Sequence, residues 1–317
     1  DMQKQPLVSF IIPAFNVDAD MLRECLESIM VLSLSREERE IILIDDGSDV
    51  PAICSLTDVA DEIVYLRQPN KGLSEARNIG IKLATGRFVQ FVDADDHLIR
   101  APYEHCLDIA RYHNPDLVLF ESTSKEEKQP KTPFAYDGPK TGSSYMRQNN
   151  MRAAAWGYLF ERQILGRLRF TPGLYHEDEE FTPQLMLRSE RLYTTDAKAY
   201  YYRMRSGSIV NNDNPEHTRH LLADTERILE HLQSLVVPEH DRPALNRRIA
   251  QLTMDYLYNV IRRTRDRKTL EETMERLTQK GLYPLPDRNY TKKYVYFRKM
   301  MSHSVTRRLL FLLIIKR

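Results

Sequence analysis

The feature that most constrains the fold is a series of four short runs rich in apolar residues, each followed by a polar or glycine-containing cluster. The runs cover residues 7–12, 41–44, 62–66 and 88–92. Runs of this length and composition are typical of strands buried on both faces of a sheet. Amphipathic stretches with helical spacing follow the first and third runs. The alternation predicts an α/β fold with an open, mostly parallel sheet, whose ligands bind beyond the carboxyl ends of the strands.

The last third of the chain differs, because from residue 218 onward we find only helical periodicity. Between the two regions, residues 122–144 are polar and rich in Lys, Pro, Thr and Gly, which favours a mobile loop. We therefore expect an α/β domain over residues 1–214 and a helical appendage over residues 215–317.

The overall charge does not indicate a partner, since 46 Lys and Arg nearly balance 45 Asp and Glu. Three cysteines without CxxC spacing favour a reducing compartment. The polar start resembles no signal peptide, and no apolar run approaches the roughly 20 residues that span a bilayer. These features predict a cytoplasmic protein.

Polar side chains at the predicted strand ends suggest a site for a phosphorylated ligand. Asp93 and Asp95 end the fourth run two residues apart, so their carboxylates can converge on one hard cation. Asp46 ends the second run and could accept a hydrogen bond from a nucleobase, on which Phe15 could stack. Residues 70–77 combine a glycine loop, a helix start capped by Ser74 and an arginine, which together suit a diphosphate.

Four stretches resemble the motifs of the family 2 glycosyltransferases, which have the GT-A fold. Residues 8–16 resemble VSxIIPxFN, residues 42–48 the second motif, residues 70–80 NxGxxxARNxG, and residues 86–96 GxYxxFxDADD. They occur in the family's order and spacing. The resemblance implies a GT-A domain with a C-terminal helical region, and a glycosyltransferase of the hexosyltransferase type.

The resemblance also implies which residues bind a nucleotide sugar. They are Pro13, Ala14, Phe15, Asn16, Asp46, Gly72, Arg77, Asp93, Asp95 and Asp96. Asp46 would hold the ring N–H of the base, and Arg77 would lie near the phosphates. Asp93 and Asp95 would hold the ribose and the metal, Mn²⁺ or Mg²⁺, with Asp95 the first choice for the metal. Asp96 would either cap the next turn or contact the donor sugar.

A base is needed to take the proton from the acceptor hydroxyl. Residues 175–181 resemble the family's EDxxF element, in which the aspartate is the base, and this assigns Asp178. Glu177 is the competing base, and the sequence leaves the choice between the two open. A neighbouring carboxylate would raise the pKa of the base towards the working pH. His176 is expected to be structural rather than a metal ligand.

Two further segments extend the resemblance to about residue 210. Residues 156–160 are similar to WGxLF, which implies that Trp156 helps to form the acceptor floor. Residues 200–209 are similar to YxYRxRxGSI, which implies that Arg203, Arg205 and Ser208 contact the diphosphate as a closing loop.

The implied reaction is an inverting, metal-dependent transfer from a nucleotide sugar, with UDP favoured, to a glycan or lipid-linked acceptor, as in cell-envelope polysaccharide biosynthesis. Two alternatives remain: a nucleotidyltransferase, or a noncatalytic protein that binds nucleotide sugars or glycans. A dinucleotide-binding dehydrogenase is excluded because no GxGxxG follows the first run. No nucleic-acid motif accompanies the basic residues, so no nucleic-acid partner is expected.

The C-terminal segment adds one expected contact. Residues 304–317 combine seven consecutive apolar residues with basic pairs on both sides, which favours either peripheral contact with the inner face of a membrane or a buried helix.

Overall fold

The structure is a computed structural model that describes residues 4–126, 132–204 and 214–317. Within these ranges the chain forms nine strands and ten α-helices. It divides into two compact units, Asp1–Gly142 with Arg152–Arg205 and Ser143–Met151 with Ser206–Arg317. The boundary near residue 214 that the sequence suggested stays a prediction.

The first four strands of the first unit form a parallel sheet. They are β1 (Val8–Ala14), β2 (Arg39–Asp45), β3 (Val64–Arg67) and β4 (Phe88–Phe91), in the spatial order β3-β2-β1-β4. Helices α1 (Ala19–Met30) and α2 (Leu73–Leu83) connect them. β1 is buried along its whole length, as the continuous apolar run predicted. The carboxyl ends of these strands therefore lie along one edge of the sheet.

The rest of the first unit completes one nine-stranded mixed sheet. Its elements are β5 (His97–Leu98), α3 (Arg100–Tyr112), β6 (Leu117–Thr123), β7 (Tyr136–Lys140), β8 (Tyr158–Glu161), α5 (Glu177–Leu187) and β9 (Leu192–Tyr201). β8 runs antiparallel to β4 and β6, whereas β6 and β9 are parallel. β5 and β7 both pair with β9 in the antiparallel sense.

The expectation of a loop throughout residues 122–144 is wrong for part of this stretch. It contains β7 and the start of α4 (Gly142–Gln148), while residues 127–131 lie outside the described ranges. β7 has the sequence YDGPK and pairs only with β9. A polar strand that includes Gly and Pro lacks the apolar alternation by which strands are recognised.

Helix α2 packs unusually close to β1. A Cβ atom added at Gly80 would lie 2.3 Å from Cγ2 of Ile11. The N-cap of α2 is Gly72, with φ of 92°, and not Ser74 as the sequence suggested. The helix therefore starts two residues earlier than expected, directly at the glycine loop.

The second unit is helical, as the periodicity predicted. Its long helices are α6 (Pro215–Ser234), α7 (Arg242–Thr264), α8 (Arg267–Gln279), α9 (Lys292–Met301) and α10 (Ser304–Ile315). Glu226 of α6 accepts hydrogen bonds from Tyr256, Arg276 and Lys280. Burial opposes ionisation of Glu226, but these bonds outweigh it and lower its pKa to about 2. None of the described helices is long and apolar enough to cross a membrane.

Candidate active site

The turns that follow β1 and β2 are joined by hydrogen bonds. The backbone N–H of Asn16 donates to Oγ of Ser48 at 3.0 Å, and that of Asp49 donates to Oδ1 of Asn16 at 2.8 Å. Asn16 has φ of 49°, a left-handed conformation that asparagine tolerates. Pro13 and Ala14 are buried within β1, whereas Phe15 is 49% exposed. Of this segment, Phe15 presents the aromatic surface on which a base could stack.

The two aspartates at the end of β2 hold turns of the chain. Asp45 is fully buried and accepts hydrogen bonds from Tyr65 and from the backbone N–H groups of Ser48 and Ala52. Burial raises the pKa of Asp45, but these hydrogen bonds outweigh burial, so the net shift is downward.

Asp46 links the end of β2 to the glycine loop. Its Oδ1 accepts from the backbone N–H of Lys71 at 2.8 Å and from Gln68, and its Oδ2 accepts from the N–H of Gly72 at 2.9 Å. Asp46 is 4% exposed. Its carboxylate is therefore already bonded to the loop that precedes α2, and a contact with a nucleobase stays a prediction.

Arg77 is the centre of the site. The guanidinium donates to Oε1 of Glu177 at 2.6 Å and to Oδ1 of Asp93 at 3.1 Å. The side chain is 3% exposed, and the guanidinium lies over the rings of Phe91 and Phe170. Burial lowers its pKa, but the two carboxylates outweigh burial and raise it above the usual value. Arg77 thus links α2, the turn of residues 93–96 after β4 (the DADD turn) and α5. Its positive charge is paired with carboxylates and does not extend into solvent.

The DADD turn after β4 presents two of its carboxylates outward. Asp93 and Asp95 are half-buried, whereas Ala94 and Asp96 are buried. Oδ2 of Asp96 accepts from the hydroxyl of Tyr200 at 2.7 Å, and Oδ1 accepts from the N–H of Arg203 at 2.9 Å. Burial and the neighbouring Asp93 raise the pKa of Asp96 to about 8. Of the two roles expected for Asp96, these contacts favour the structural one, because they fix the turn to the end of β9.

The acidic pair of residues 177 and 178 forms the first turn of α5. Its N-cap is His176, which has left-handed dihedrals with φ of 56°. Glu177 is buried against Arg77, whereas Asp178 is half-buried. Burial first, and then the charge of Glu177, raise the pKa of Asp178 to about 7, with Arg77 acting in the opposite direction. The two carboxylates therefore differ in their chemistry. Glu177 forms an ion pair with Arg77, whereas Asp178 can exchange a proton near neutral pH.

A stack of aromatic rings borders the DADD turn. The ring of Trp156 lies parallel to that of Tyr200 with a centroid distance of 4.3 Å, and it stacks on Tyr202 at 5.6 Å. The Tyr200 hydroxyl also accepts from the N–H of Asp93 at 3.0 Å. Trp156 is half-buried. The sequence thus identified Trp156, but not Tyr200, whose hydroxyl connects the stack to the DADD turn.

The three closing-loop residues expected from the sequence have different outcomes. The Arg203 guanidinium donates to the carbonyl of Asp95 at 2.9 Å and to Glu24 at 2.8 Å. Arg203 is thus bonded to the DADD turn, and its contact with a diphosphate stays a prediction. Arg205 and Ser208 lie outside the described residues.

The donor set fits a divalent cation that is shared with a ligand. The described residues contain no group of three or more His, Cys, Asp or Glu side chains arranged for a metal. Asp93 and Asp95 offer carboxylate oxygens, and Mg²⁺ and Mn²⁺ are commonly held by one or two carboxylates together with substrate phosphates. Burial first, and then neighbouring carboxylates, raise the pKa values of Asp96 and Asp178, so several acidic groups lie close together here. Two outward carboxylates in such surroundings suit a cation that arrives with a phosphate.

A cavity of about 360 Å³ has a different set of lining residues. His97 and Tyr201, whose rings stack at 4.6 Å, contribute to its lining together with Glu24 and Lys198. Its described lining includes neither Arg77 nor the acidic pair of α5. The candidate base Asp178 and the candidate metal ligands Asp93 and Asp95 are therefore not part of the lining of this cavity.

Comparisons with known proteins bear on the family and the fold of the chain. A model of the family described as Glycosyl transferase family 2 matches residues 9–166. The uncharacterized glycosyltransferase YibD of Escherichia coli (strain K12) is 30% identical over 247 residues, which cover 71% of this chain and 70% of YibD. The chain spans only 31% of the length of a second glycosyltransferase relative.

Solved structures share the fold. The structure of Staphylococcus aureus TarS 1-349 in complex with UDP-GlcNAc has a TM-score of 0.63 at 18% identity, and the match covers 92% of this chain and 91% of that one. The mannosyltransferase PcManGT of Pyrobaculum calidifontis, in complex with GDP-Man and Mn²⁺, has a TM-score of 0.58 at 14% identity, with 99% and 86% covered.

Proposed function

Because this chain belongs to glycosyl transferase family 2, we propose that it transfers a sugar, with inversion, from a nucleoside diphosphate sugar to a hydroxyl of a glycan or lipid-linked acceptor. Family membership makes the chain a glycosyltransferase with the GT-A fold, and it decides against a nucleotidyltransferase or a noncatalytic binding protein. The donor, the acceptor, the stereochemistry and the metal belong to the proposal.

The observation that carries the proposal is the difference between Glu177 and Asp178. Glu177 accepts a 2.6 Å hydrogen bond from the buried Arg77, so its carboxylate is already engaged in an ion pair. Asp178, the next residue, has a pKa raised to about 7 and is half-buried at the start of α5. A general base works best when its pKa lies near the working pH. Asp178 is therefore the base of the proposed reaction, and the charge of Glu177 adds to burial in raising its pKa.

The proposed reaction is a single displacement. The acceptor hydroxyl gives its proton to the Asp178 carboxylate while its oxygen forms a bond to C1 of the donor sugar. The bond between C1 and the phosphate oxygen breaks, and its electron pair leaves with the nucleoside diphosphate. Attack opposite the leaving group inverts the configuration at C1.

The donor side is assigned to the turns after β1 and β2 and to the glycine loop. Phe15 provides the exposed ring for stacking on a base, and Gly72 opens α2, where helix N-termini favour phosphate. TarS is described with UDP-GlcNAc and the mannosyltransferase with GDP-Man, which supports a nucleoside diphosphate sugar as donor. The TarS complex with UDP-GlcNAc supports a UDP-sugar as the first donor to test.

Asp95, with Asp93 beside it, would hold Mn²⁺ or Mg²⁺. When bound, such a cation would stabilise the negative charge that develops on the leaving diphosphate. The Mn²⁺ in the mannosyltransferase structure supports this assignment.

The test is to measure binding and hydrolysis of UDP-, GDP- and dTDP-sugars with Mn²⁺ by the wild type, Asp95→Ala and Asp178→Asn. We expect one donor to bind, and Asp95→Ala to lose metal-dependent binding. Asp178→Asn should bind that donor normally, with turnover lowered by about 10²- to 10⁴-fold, because only the proton acceptor is removed.

The matched control is Glu179→Gln, which removes the carboxylate next to Asp178 in the same helical turn and should leave turnover near that of the wild type. Failure of every nucleotide sugar to bind would contradict the donor site. Normal turnover by Asp178→Asn would contradict the base.

A further inference from the structure

The end of the described chain carries a strong positive charge. Residues 288–317 contain nine Lys and Arg residues and no Asp or Glu. Four of the nine flank or interrupt the apolar run of α10: Arg307, Arg308, Lys316 and Arg317. This local charge contrasts with the near-neutral balance of the whole chain, which has a formal net charge of +1.

Helix α10 is apolar on two opposite sides. One side, formed by Leu310, Phe311 and Ile314, is buried within the second unit, each residue being 5% exposed. The other side exposes Val305 by 77%, Leu309 by 52%, Leu312 by 50% and Leu313 by 46%. Positions 305, 309, 312 and 313 follow the spacing i, i+4, i+7, i+8 and so lie on one side of the helix. Soluble surfaces seldom leave contiguous large aliphatic side chains uncovered.

Basic residues lie on this same exposed side. Arg308 and Lys316 are exposed, and both belong to the stripe defined by Val305, Leu309 and Leu312. Long basic side chains can lay their methylene groups on an apolar surface while the charge reaches water or an anionic headgroup. The exposed side of α10 therefore combines an aliphatic centre with cationic ends.

We infer that this side of α10 binds the surface of an anionic lipid bilayer, with the helix lying in the plane of the interface. A helix of 12 residues is roughly 18 Å long, too short for a hydrocarbon core of about 30 Å. A protein partner would favour aromatic anchors, whereas leucine and valine are uncommon in protein hot spots. Basic residues that flank leucine suit an anionic membrane surface. This surface goes beyond the proposed transfer reaction and does not rest on it.

The test is co-sedimentation of the full chain, without nucleotide or metal, with two kinds of vesicle: phosphatidylcholine alone, and phosphatidylcholine mixed with phosphatidylglycerol. The wild type should bind the mixed vesicles, and added salt should weaken that binding. The variant Leu309→Gln/Leu313→Gln should lower the partition coefficient by about tenfold per leucine. Arg308→Gln/Lys316→Gln should lower it by about fivefold per charge.

Matched control variants in the second unit test whether vesicle binding depends on this side of α10 or on exposed apolar and basic residues in general. Val236→Gln removes an apolar side chain that is 98% exposed, and Arg262→Gln/Lys268→Gln removes two exposed basic residues. Both should bind vesicles as the wild type does. All variants should keep wild-type circular dichroism and donor hydrolysis, so the transfer reaction can stand whether or not the vesicle result does.

Two results would overturn the inference. One is binding to mixed vesicles that is absent, or is unaffected by the leucine variant. The other is a concentration-dependent dimer in sedimentation velocity that Leu309→Gln/Leu313→Gln abolishes, because that would make a second copy of the chain the occupant of this side of the helix.

Discussion

At the residue scale, Arg77 sets the electrostatics of the site. It contacts Asp93, 16 positions away in the chain, and Glu177, 100 positions away. Removing one member of a buried ion pair typically costs about 3–5 kcal/mol, because the remaining charge is left without a partner. The Arg77 guanidinium therefore holds the carboxylates of Asp93 and Glu177 in place and leaves Asp178 as the neighbour that can accept a proton.

The pKa of Asp178 predicts the pH profile of the transferase. Catalysis needs the ionised carboxylate, so kcat/KM should fall about tenfold per pH unit below pH 7 and level off above it. Glu177 raises the pKa of Asp178 by charge repulsion. We therefore expect Glu177→Gln to stay active and to move the acidic limb of the profile to lower pH. The measurement is kcat/KM against pH for the wild type and Glu177→Gln.

Glu179→Gln serves as the control for this profile, because it removes a carboxylate from the same helical turn and leaves Glu177 and Asp178 in place. If Glu177 were itself the base, Glu177→Gln would lose activity at every pH and leave no limb to move. A profile that stays flat from pH 5 to pH 8 would contradict the assignment of Asp178.

The sequence predicted some of these residues better than others. The contribution of Glu177 to the raised pKa of Asp178 could be predicted, because two adjacent carboxylates repel each other in any fold, whereas burial, the larger cause, depends on how α5 packs. The partners of Arg77 could not, because an ion pair across 100 positions leaves no local pattern. The same holds for Asp46, whose hydrogen bonds to Lys71 and Gly72 form only when β2 and the glycine loop meet.

At the scale of elements, the contact between α2 and β1 depends on Gly80. A methyl group there would fall 2.3 Å from Cγ2 of Ile11, inside van der Waals contact. We expect Gly80→Ala to lower the free energy of unfolding by about 1–3 kcal/mol, despite the higher helix propensity of alanine. Urea denaturation followed by circular dichroism measures the change.

Lys82→Ala, on the exposed side of the same helix, is the control, and it should be close to neutral. In the double variant Gly80→Ala/Ile11→Ala the two costs should not add, because the smaller side chain at position 11 leaves room for the methyl group. Simple additivity would show that the clash is not the cause.

Strands and helices could be predicted from the sequence where their apolar residues are regularly spaced. The first four strands and the helices beyond residue 218 were predicted because their apolar spacing is regular, and the structure places them there. β7 was missed because its residues are polar and it is held by pairing with β9. The N-cap of α2 was assigned to Ser74 rather than Gly72, since a glycine cap makes no side-chain hydrogen bond that the residue type could indicate.

At the scale of the whole molecule, each compact unit has its own buried residues, and one probe distinguishes them. Trp156 is the only tryptophan of the chain and belongs to the first unit. Leu257 of α7 is fully buried in the second unit. We expect Leu257→Ala to destabilise the second unit by about 2–5 kcal/mol. In urea, the circular dichroism midpoint should therefore shift more than the tryptophan fluorescence midpoint.

The reciprocal variant is Leu159→Ala in β8, which is also fully buried and lies in the first unit. It should shift tryptophan fluorescence more than the helical signal. Equal shifts of both signals in both variants would mean that the chain unfolds as one cooperative unit. The sequence could not assign Ser143–Met151 to the second unit, because a short excursion of the chain has no compositional signature.

The Asp46 carboxylate has a consequence for building hybrids between relatives. Because the Asp46 carboxylate accepts hydrogen bonds from the backbone of Lys71 and Gly72, it holds the turn after β2 and the glycine loop together. Exchanging only one of these two segments with a relative would separate the buried Asp46 carboxylate from its amide donors. Residues 45–72 should therefore be exchanged as one piece. The turn after β1 should be exchanged together with this piece, because it carries Phe15 and is bonded through Asn16 to Ser48 and Asp49. The helical second unit, in contrast, can be exchanged without changing this turn and the glycine loop.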